Sequence, residues 1–263
     1  MTPMFIGHGS PMNAIEENAF TRSLQAWAQQ NLKPTLILAV SAHWVTAQVS
    51  ASVAEKNTTL HDFGGFPAEL FHVQYQPAGA PELLPILSEI LGTEIFSESN
   101  RGLDHGVWSV LKHMYPLADV SVVQLSLEAG LTFQQHFDRG ALLANLSQKI
   151  SQSNSEIPQR ILLLVSGNLA HNLSDVRWNS DEPVPWAVEF DGIIQKAIEE
   201  KNWEALIHPE KYNDLLWQAH PTLEHYVPLL YAAGTASVGN MKHQWIYEGI
   251  EMGTLSMRSV VWN

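Results

Sequence analysis

Two uninterrupted apolar runs, Leu36-Ile37-Leu38-Ala39-Val40 and Ile161-Leu162-Leu163-Leu164-Val165, do most to limit the folds open to this chain. A strand with one wet face alternates apolar and polar residues. A short run that is apolar throughout suits a strand buried on both faces, as in a parallel sheet covered by helices. Each run leads through small residues to a histidine: Ser41-Ala42-His43 after the first, and Ser166-Gly167-Asn168-Leu169-Ala170-His171 after the second. The N-terminal run does the same in Phe5-Ile6-Gly7-His8-Gly9-Ser10-Pro11. A fourth histidine, His225, follows the turn His220-Pro221-Thr222 and opens an apolar stretch. In α/β proteins ligands bind outside the carboxyl ends of the strands. Imidazole is also the commonest protein ligand for divalent first-row metals. The placement of these histidines predicts a metal site at the strand ends.

Elsewhere, apolar β-branched runs alternate with helix-like stretches. Strands are predicted at Met4–Ile6, Leu36–Val40, Val49–Val53, Val120–Leu125, Ile161–Val165 and Ser256–Val261. Helices are predicted at Thr21–Gln30, Pro81–Leu91, Val107–Met114, Phe133–Ile150, Trp186–Lys201 and His225–Ala233, with Pro81 opening one and Gly92 and Gly234 as stops. This alternation predicts an α/β fold with a mostly parallel central sheet flanked by helices. The polar connector 151–155 is too short to mark a boundary, so residues 1–263 read as one domain. Two long segments, 57–80 and 168–185, are rich in aromatic and histidine residues, which suits functional loops.

Composition narrows the chemistry. The chain has no cysteine, which excludes disulfides, thiolate metal sites, iron–sulfur clusters and a cysteine nucleophile. Any metal is held by nitrogen and oxygen. The formal net charge of −13 disfavours nucleic acid and anionic membranes as partners. No apolar run approaches the roughly 18–20 residues that span a bilayer, and Met1-Thr2-Pro3-Met4-Phe5 lacks the basic-then-apolar pattern of a signal peptide. A cytoplasmic protein is expected.

A single histidine in a loop is commonly a capped or satisfied polar group. Convergence separates these positions from the rest of the twelve: His8, His43 and His171 stand at three strand ends beside Gly7, Gly9, Ser41, Ala42, Gly167 and Ala170, which permit close approach. Three nitrogen ligands with open positions suit Fe(II) oxygen chemistry or Zn(II) hydrolysis, and spacing does not choose between them. His61-Asp62 and Asp104-His105-Gly106 each set a carboxylate beside an imidazole, as partners of a metal ligand or substrate, or as loop caps. Glu224 competes with His225 as a ligand, since adjacent helical residues do not share a face. Trp44 and Trp108 are placed to wall a pocket, or to pack in the core. His72, His113, His136, His208, His220 and His243 read as structural or exposed.

At these residues the sequence resembles the class III, LigB-type, extradiol ring-cleaving dioxygenases, and within them the DOPA 4,5-dioxygenase branch. The matching segments are Gly7-His8-Gly9-Ser10-Pro11-Met12, Ser41-Ala42-His43-Trp44, His61-Asp62-Phe63-Gly64-Gly65-Phe66-Pro67, Asp104-His105-Gly106, Ser166-Gly167-Asn168 with His171-Asn172-Leu173, Glu224-His225-Tyr226 with Pro228-Leu229-Leu230, and Glu248-Gly249-Ile250-Glu251-Met252-Gly253. They run in order along nearly the whole chain.

The resemblance implies a mononuclear metal with His8, His43 and His225 as ligands and His171 as the acid/base beside it. It implies substrate-binding or supporting roles for His61, His105, Asp104 and Trp44. The wider family typically has a carboxylate as third ligand, and a three-histidine site departs from that pattern. The implied cofactor is Fe(II) for activity, with Zn(II) also suited to the purified protein. The implied partners are a small-molecule catechol such as L-DOPA and O2, acting on a monomer or small homo-oligomer. A Zn(II)-dependent hydrolase and a non-catalytic metal- or phenol-binding protein are the rival readings of the same residues.

Overall fold

The protein was analysed as a computed structural model that describes residues 1–152, 160–178, 180 and 182–263. The strands are β1 (Thr2–Gly7), β2 (Leu36–Thr46), β3 (Ser50–Ser52), β4 (Phe96–Glu98), β5 (Ser121–Glu128), β6 (Ile161–Gly167), β7 (His243–Tyr247), β8 (Ile250–Glu251), β9 (Leu255–Ser256) and β10 (Ser259–Trp262). The helices are α1 (Ala19–Gln30), α2 (Ala68–Phe71), α3 (Leu84–Leu91), α4 (His105–Met114), α5 (Phe133–Leu143), α6 (Leu146–Gln152), α7 (Pro185–Glu199), α8 (Trp203–Ile207), α9 (Asp214–Ala219) and α10 (Val227–Val238).

Eight strands form one sheet in the order β4-β3-β5-β2-β6-β1-β10-β7. Its centre, β5-β2-β6-β1, is parallel throughout, and the uninterrupted apolar runs lie there. β3 runs antiparallel to β5, and β10 antiparallel to both β1 and β7. Alternate residues of the central strands feed two cores. Leu36, Leu38, Val40, Leu163 and Val165 pack with α3, α5, α7 and α10. Ile37, Ala39, Met4, Ile6, Leu162 and Leu164 pack with α1 and α4. The fold is the α/β layering that burial on both faces requires. Among the described residues no helix is long and apolar enough to cross a membrane.

Several boundaries differ from expectation for identifiable reasons. β2 continues past Val40 to Thr46, so His43 lies within the strand and not beyond it. Ser41 still pairs with β6, and after a register shift Val45 and Thr46 pair with β5. The helix expected over 133–150 breaks between Leu143 and Leu146, where the Asn145 side chain donates to the Leu142 carbonyl and competes with the helical bond. The strand expected over 256–261 is interrupted between Ser256 and Ser259. β4 and β7 were not anticipated; β4 is three residues long and exposed along its length. Gly92 ends α3 in a left-handed conformation (φ 62°), as expected. The connector 151–155 lies outside the described residues beyond Gln152, as do residues 179 and 181 of the 168–185 loop.

Gly234 does not stop its helix: α10 runs through it to Val238. Its role is close approach. A Cβ there would sit 2.0 Å from the Phe137 carbonyl oxygen on α5, and one at Gly140 would sit 2.2 Å from that of Tyr231 on α10. The two helices meet backbone to backbone, tied by the Thr235 hydroxyl donating to the Gly140 carbonyl at 2.7 Å. Gly234→Ala should therefore cost about 1–3 kcal/mol as overpacking and lower Tm by roughly 2–4 °C per kcal/mol. Gly192→Ala on α7, where nothing lies within 4 Å of the added methyl, should hold or raise Tm because alanine is the better helix former. Equal melting shifts for the two variants in a thermal scan would refute the close-approach account.

Candidate metal centre

The carboxyl ends of β1, β2 and β6 lie side by side, and each delivers part of the site. His8 leaves the end of β1, its backbone N–H held by the Gly167 carbonyl at 3.1 Å. His43 projects from the last turn of register of β2. His225 stands just before α10 and is drawn over the end of β6. There the Asn168 N–H donates to the His225 carbonyl at 3.0 Å. Gly167 makes this contact feasible, since a Cβ on it would lie 2.2 Å from the His225 carbonyl oxygen. Gly106 does the same for α4: a Cβ would meet the Ser41 hydroxyl at 2.7 Å and His43 Cδ2 at 3.2 Å. The start of α4 thereby brings His105 against the strand ends.

Five imidazoles share the resulting space. Ring centroids are 4.9 Å apart for His8 and His43, 5.2 Å for His8 and His225, and 5.0 Å for His43 and His225. His105 lies 4.0 Å from His43 and 5.4 Å from His8. His171 stacks flat on His225, 3.5 Å away with planes 4° apart. The ligand nitrogens of His8, His43 and His105 come within 4.8 Å of one another. That set meets the nitrogen spacing of a metal site; His225 adjoins it by ring-centroid distance, 5.2 Å from His8 and 5.0 Å from His43.

The hydrogen bonds define which nitrogen carries a proton in His8, His225 and His105. Ser166 Oγ has one proton and donates it to the Gly106 carbonyl at 2.6 Å. It can only accept from His8 Nδ1, 2.8 Å away, which leaves His8 Nε2 with a bare lone pair. The Asn168 amide is oriented by its Nδ2 donating to the Ser256 carbonyl at 2.9 Å. Its Oδ1 then accepts from His225 Nδ1 at 3.0 Å, and His225 Nε2 is bare in turn. Asp62 Oδ1 accepts from His105 Nδ1 at 3.0 Å and from the His105 backbone N–H at 3.0 Å. Asp62 Oδ2 faces His43 Nδ1 at 3.7 Å.

This donor set fits a divalent metal. His8 Nε2 and His43 Nε2 are 3.0 Å apart. Two nitrogens bound at right angles to one ion at about 2.1 Å would be separated by about 3 Å. Fixing the outer nitrogen with a hydrogen bond is the usual way a protein orients a ligating imidazole.

Burial favours the neutral form at four of these rings. Desolvation first, and neighbouring histidines second, hold His8 and His225 well below the usual imidazole range. The same causes bring His43 down to about 3 and His171 to about 4. Burial works against the Asp62 carboxylate, but hydrogen bonds from His105 and its charge hold it at about 2. Asp104 is pushed up by burial and by the charge of Asp62.

Other residues expected at the site lie around it. Asp104 turns its carboxylate to Gln124 and Arg101 and makes no side-chain capping bond to α4. Trp44 is buried under the Arg101 guanidinium, 4.4 Å from its ring centroid, while Arg101 donates to the His43 carbonyl at 3.3 Å. His61 is not brought into the imidazole cluster: it donates to the Val73 carbonyl at 3.1 Å and packs among Phe63, Phe71 and Trp108. Glu224 accepts from the Thr222 hydroxyl at 2.8 Å. Ser166 and Asn168, both buried, went unassigned in the sequence. The signal for them was two short polar residues flanking a glycine at a strand end. Phe63, 5.6 Å from the His105 ring, carried no such signal.

Comparison with known proteins gives concordant results. A family described as "Catalytic LigB subunit of aromatic ring-opening dioxygenase" matches residues 2–256. A protein of Escherichia coli (strain K12) named "4,5-DOPA dioxygenase extradiol" is 38% identical over 268 residues, covering 99% of this chain and 94% of the relative. A protein of the same name from Beta vulgaris is 35% identical over 262 residues, covering 97% and 94%. The crystal structure of an uncharacterized protein from Escherichia coli K12 superposes with a TM-score of 0.82 at 34% identity, covering 100% of both chains.

Seven histidines with depressed pKa values make folding sensitive to acid, His113 among them, lowered by burial. His136 and His220 join the four above, lowered by burial to about 4 and about 3. The unfolded chain binds protons at these rings below about 6.5 while the folded chain does not. Stability is therefore complete above pH 6.5 and falls as the pH drops from there toward 4. Unfolding the metal-free protein at pH 5.5 should take up on the order of five protons. Calorimetry in two buffers of different ionisation enthalpy measures this number, and uptake near zero would contradict neutral burial.

Proposed function

This chain belongs to the LigB family of aromatic ring-opening dioxygenases and is an extradiol ring-cleaving enzyme, and we propose that it opens a catechol such as L-DOPA with O2 at a metal held by His8, His43 and His225. The observation that carries this ligand set is the shared hydrogen-bonding of His8 and His225. Each gives its Nδ1 proton to a neutral, buried partner, Ser166 or Asn168, and so leaves its Nε2 lone pair free, with the two ring centroids 5.2 Å apart. His105 is the competing third donor. Its outer nitrogen is paired with a carboxylate at the start of a helix, and we assign it to orienting substrate or oxygen.

We take the metal to be Fe(II) in the active enzyme, with Zn(II) accommodated by the same neutral nitrogens. When bound, it brings catechol oxygens and O2 together and conducts electron density between them. The residues do the rest. His171, flat against His225 and neutral at pH 7, takes a catechol proton and later returns one to the ring-opening product. Arg101 and Trp44 back the His43 main chain, and Asp104 with Gln124 anchors the start of α4. His61, in its aromatic surround, supports the wall beside His105 through Phe63. We read residues 1–263 as a single LigB-like domain, and a cytoplasmic setting as the reducing compartment in which Fe(II) persists.

Protein reconstituted anaerobically with Fe(II) should consume O2 and yield a yellow ring-opened product with L-DOPA or another member of a catechol panel. No O2 uptake with any catechol, alongside ester or amide hydrolysis under Zn(II), would overturn the proposal. The ligand set is tested separately by metal content. His225→Ala should lose metal as His8→Ala and His43→Ala do, and His105→Ala should retain it. The reverse result makes His105 the third ligand.

A further inference from the structure

One carboxylate stands behind two of the clustered histidines. Asp62 lies in the segment between β3 and α2, remote in sequence from His43 on β2 and from His105 on α4. Its Oδ1 accepts both the backbone N–H and the Nδ1–H of His105, each at 3.0 Å. Its Oδ2 faces His43 Nδ1 at 3.7 Å. The side chain is largely enclosed, at 18% exposure, so water does not readily substitute for it. An ionised carboxylate has acceptor sites only. His105 is thereby held with the proton on Nδ1 and the lone pair on Nε2, the nitrogen that points away from Asp62; His43 Nδ1, at 3.7 Å, is too far for a hydrogen bond, but the charge of the carboxylate favours the proton on that nitrogen too. For His43, Nε2 is the nitrogen 3.0 Å from His8 Nε2.

We propose that Asp62 is a positioning residue that sets the tautomer of His43 and His105 together, aiming Nε2 of one at the metal and Nε2 of the other at bound catechol or O2. For its kinetic part this rests on the dioxygenase reading above. Asp62 touches no reacting atom and acts only through the two rings. Neither His8 nor His225 depends on it, since each has its own neutral partner.

The isosteric Asp62→Asn separates this role from simple packing. An amide offers one acceptor and one donor. It can keep the bond to the His105 backbone, and so the start of α4, but it cannot accept from both rings. One of the two must turn its proton to Nε2. Three measurements follow on the full-length protein. Nitrogen-15 spectra of the histidine rings in the wild type should show Nδ1–H for both His43 and His105, and in D62N at least one should shift toward Nε2–H. Competition with a chelator should show Zn(II) affinity reduced roughly 10–100-fold in D62N, the usual effect of removing a partner behind a ligand. With Fe(II) and catechol, kcat should fall over a similar range with a smaller change in KM.

Unchanged ring tautomers and unchanged Zn(II) affinity in a folded D62N protein would overturn the proposal. If the wild type opens no catechol, the dioxygenase reading fails alone, and the spectra and metal competition still decide the role of Asp62.

Discussion

Burial and mutual repulsion favour the neutral form at four of the five clustered imidazoles, and each buried N–H of a neutral ring must find an acceptor. Leaving one without a partner costs about 1–3 kcal/mol, and charging one beside four others costs more. Much of the molecule is arranged around meeting this condition. Ser166 and Asn168 supply acceptors from the end of β6, and Asp62 supplies another from the loop before α2. These acceptors are fixed in their turn. Asn168 is oriented by the Ser256 carbonyl, and the Ser256 hydroxyl is bonded to Asp191 at 2.6 Å. Asp191 is clamped by the guanidinium of Arg258 through both of its oxygens. A rigid chain of contacts therefore runs from α7 and the C-terminal strands to the ring of His225. The interruption between β9 and β10 belongs to this chain, because Ser256 directs its polar atoms at the site supports.

The second condition is distance. Rings from five separate segments meet only if their backbones approach more closely than side chains normally permit. Small residues stand where this happens. A Cβ on Gly7 would lie 2.7 Å from the Ser256 carbonyl oxygen, and Gly106 and Gly167 are similarly confined. β6 is the pivot: its last residues hold the His8 ring, the His225 ring and the His225 main chain at once. His220, fully buried, braces the same turn by donating to the Leu169 carbonyl at 2.7 Å.

The parallel core was legible in the sequence because burial on both faces leaves a direct mark, an apolar run without alternation. The order of the motifs carried the family, and the strand ends marked His8, His43 and His171 as candidates. What was not legible depended on partners distant in the chain. Nothing local reports that β2 persists through Ser41 to Thr46, since its pairing with β6 and β5 supplies the reason. Gly234 reads as a helix stop until the Phe137 carbonyl is seen against it. His61 and His105 looked equivalent, each beside an aspartate. The start of α4 turns one toward the strand ends, while the Val73 carbonyl holds the other in an aromatic wall. β4, exposed and three residues long, has no pattern by which to be found.

The proposed ligands are all neutral, which raises the question of where the charge of a divalent ion is balanced. The chain as a whole carries −13, but screened surface charge acts weakly over distance. Close to the cluster the carboxylates are Asp62 and Asp104, and their surroundings push them in opposite directions. Hydrogen bonds from His105 keep Asp62 ionised despite burial, whereas burial and the charge of Asp62 raise the pKa of Asp104. Asp62 is therefore the more secure negative charge, set behind the imidazoles. A carboxylate ligand would neutralise part of the ion before any substrate arrives. Here that share is left for the incoming group, and a deprotonated catechol supplies two adjacent oxygens able to fill it. At a metal held by these nitrogens, their neutrality would favour an anionic bidentate substrate over a neutral one, and an anion one step behind them would oppose it less than a carboxylate ligand would. The same arrangement leaves a neutral His171 beside the metal to accept the proton that the catechol must lose.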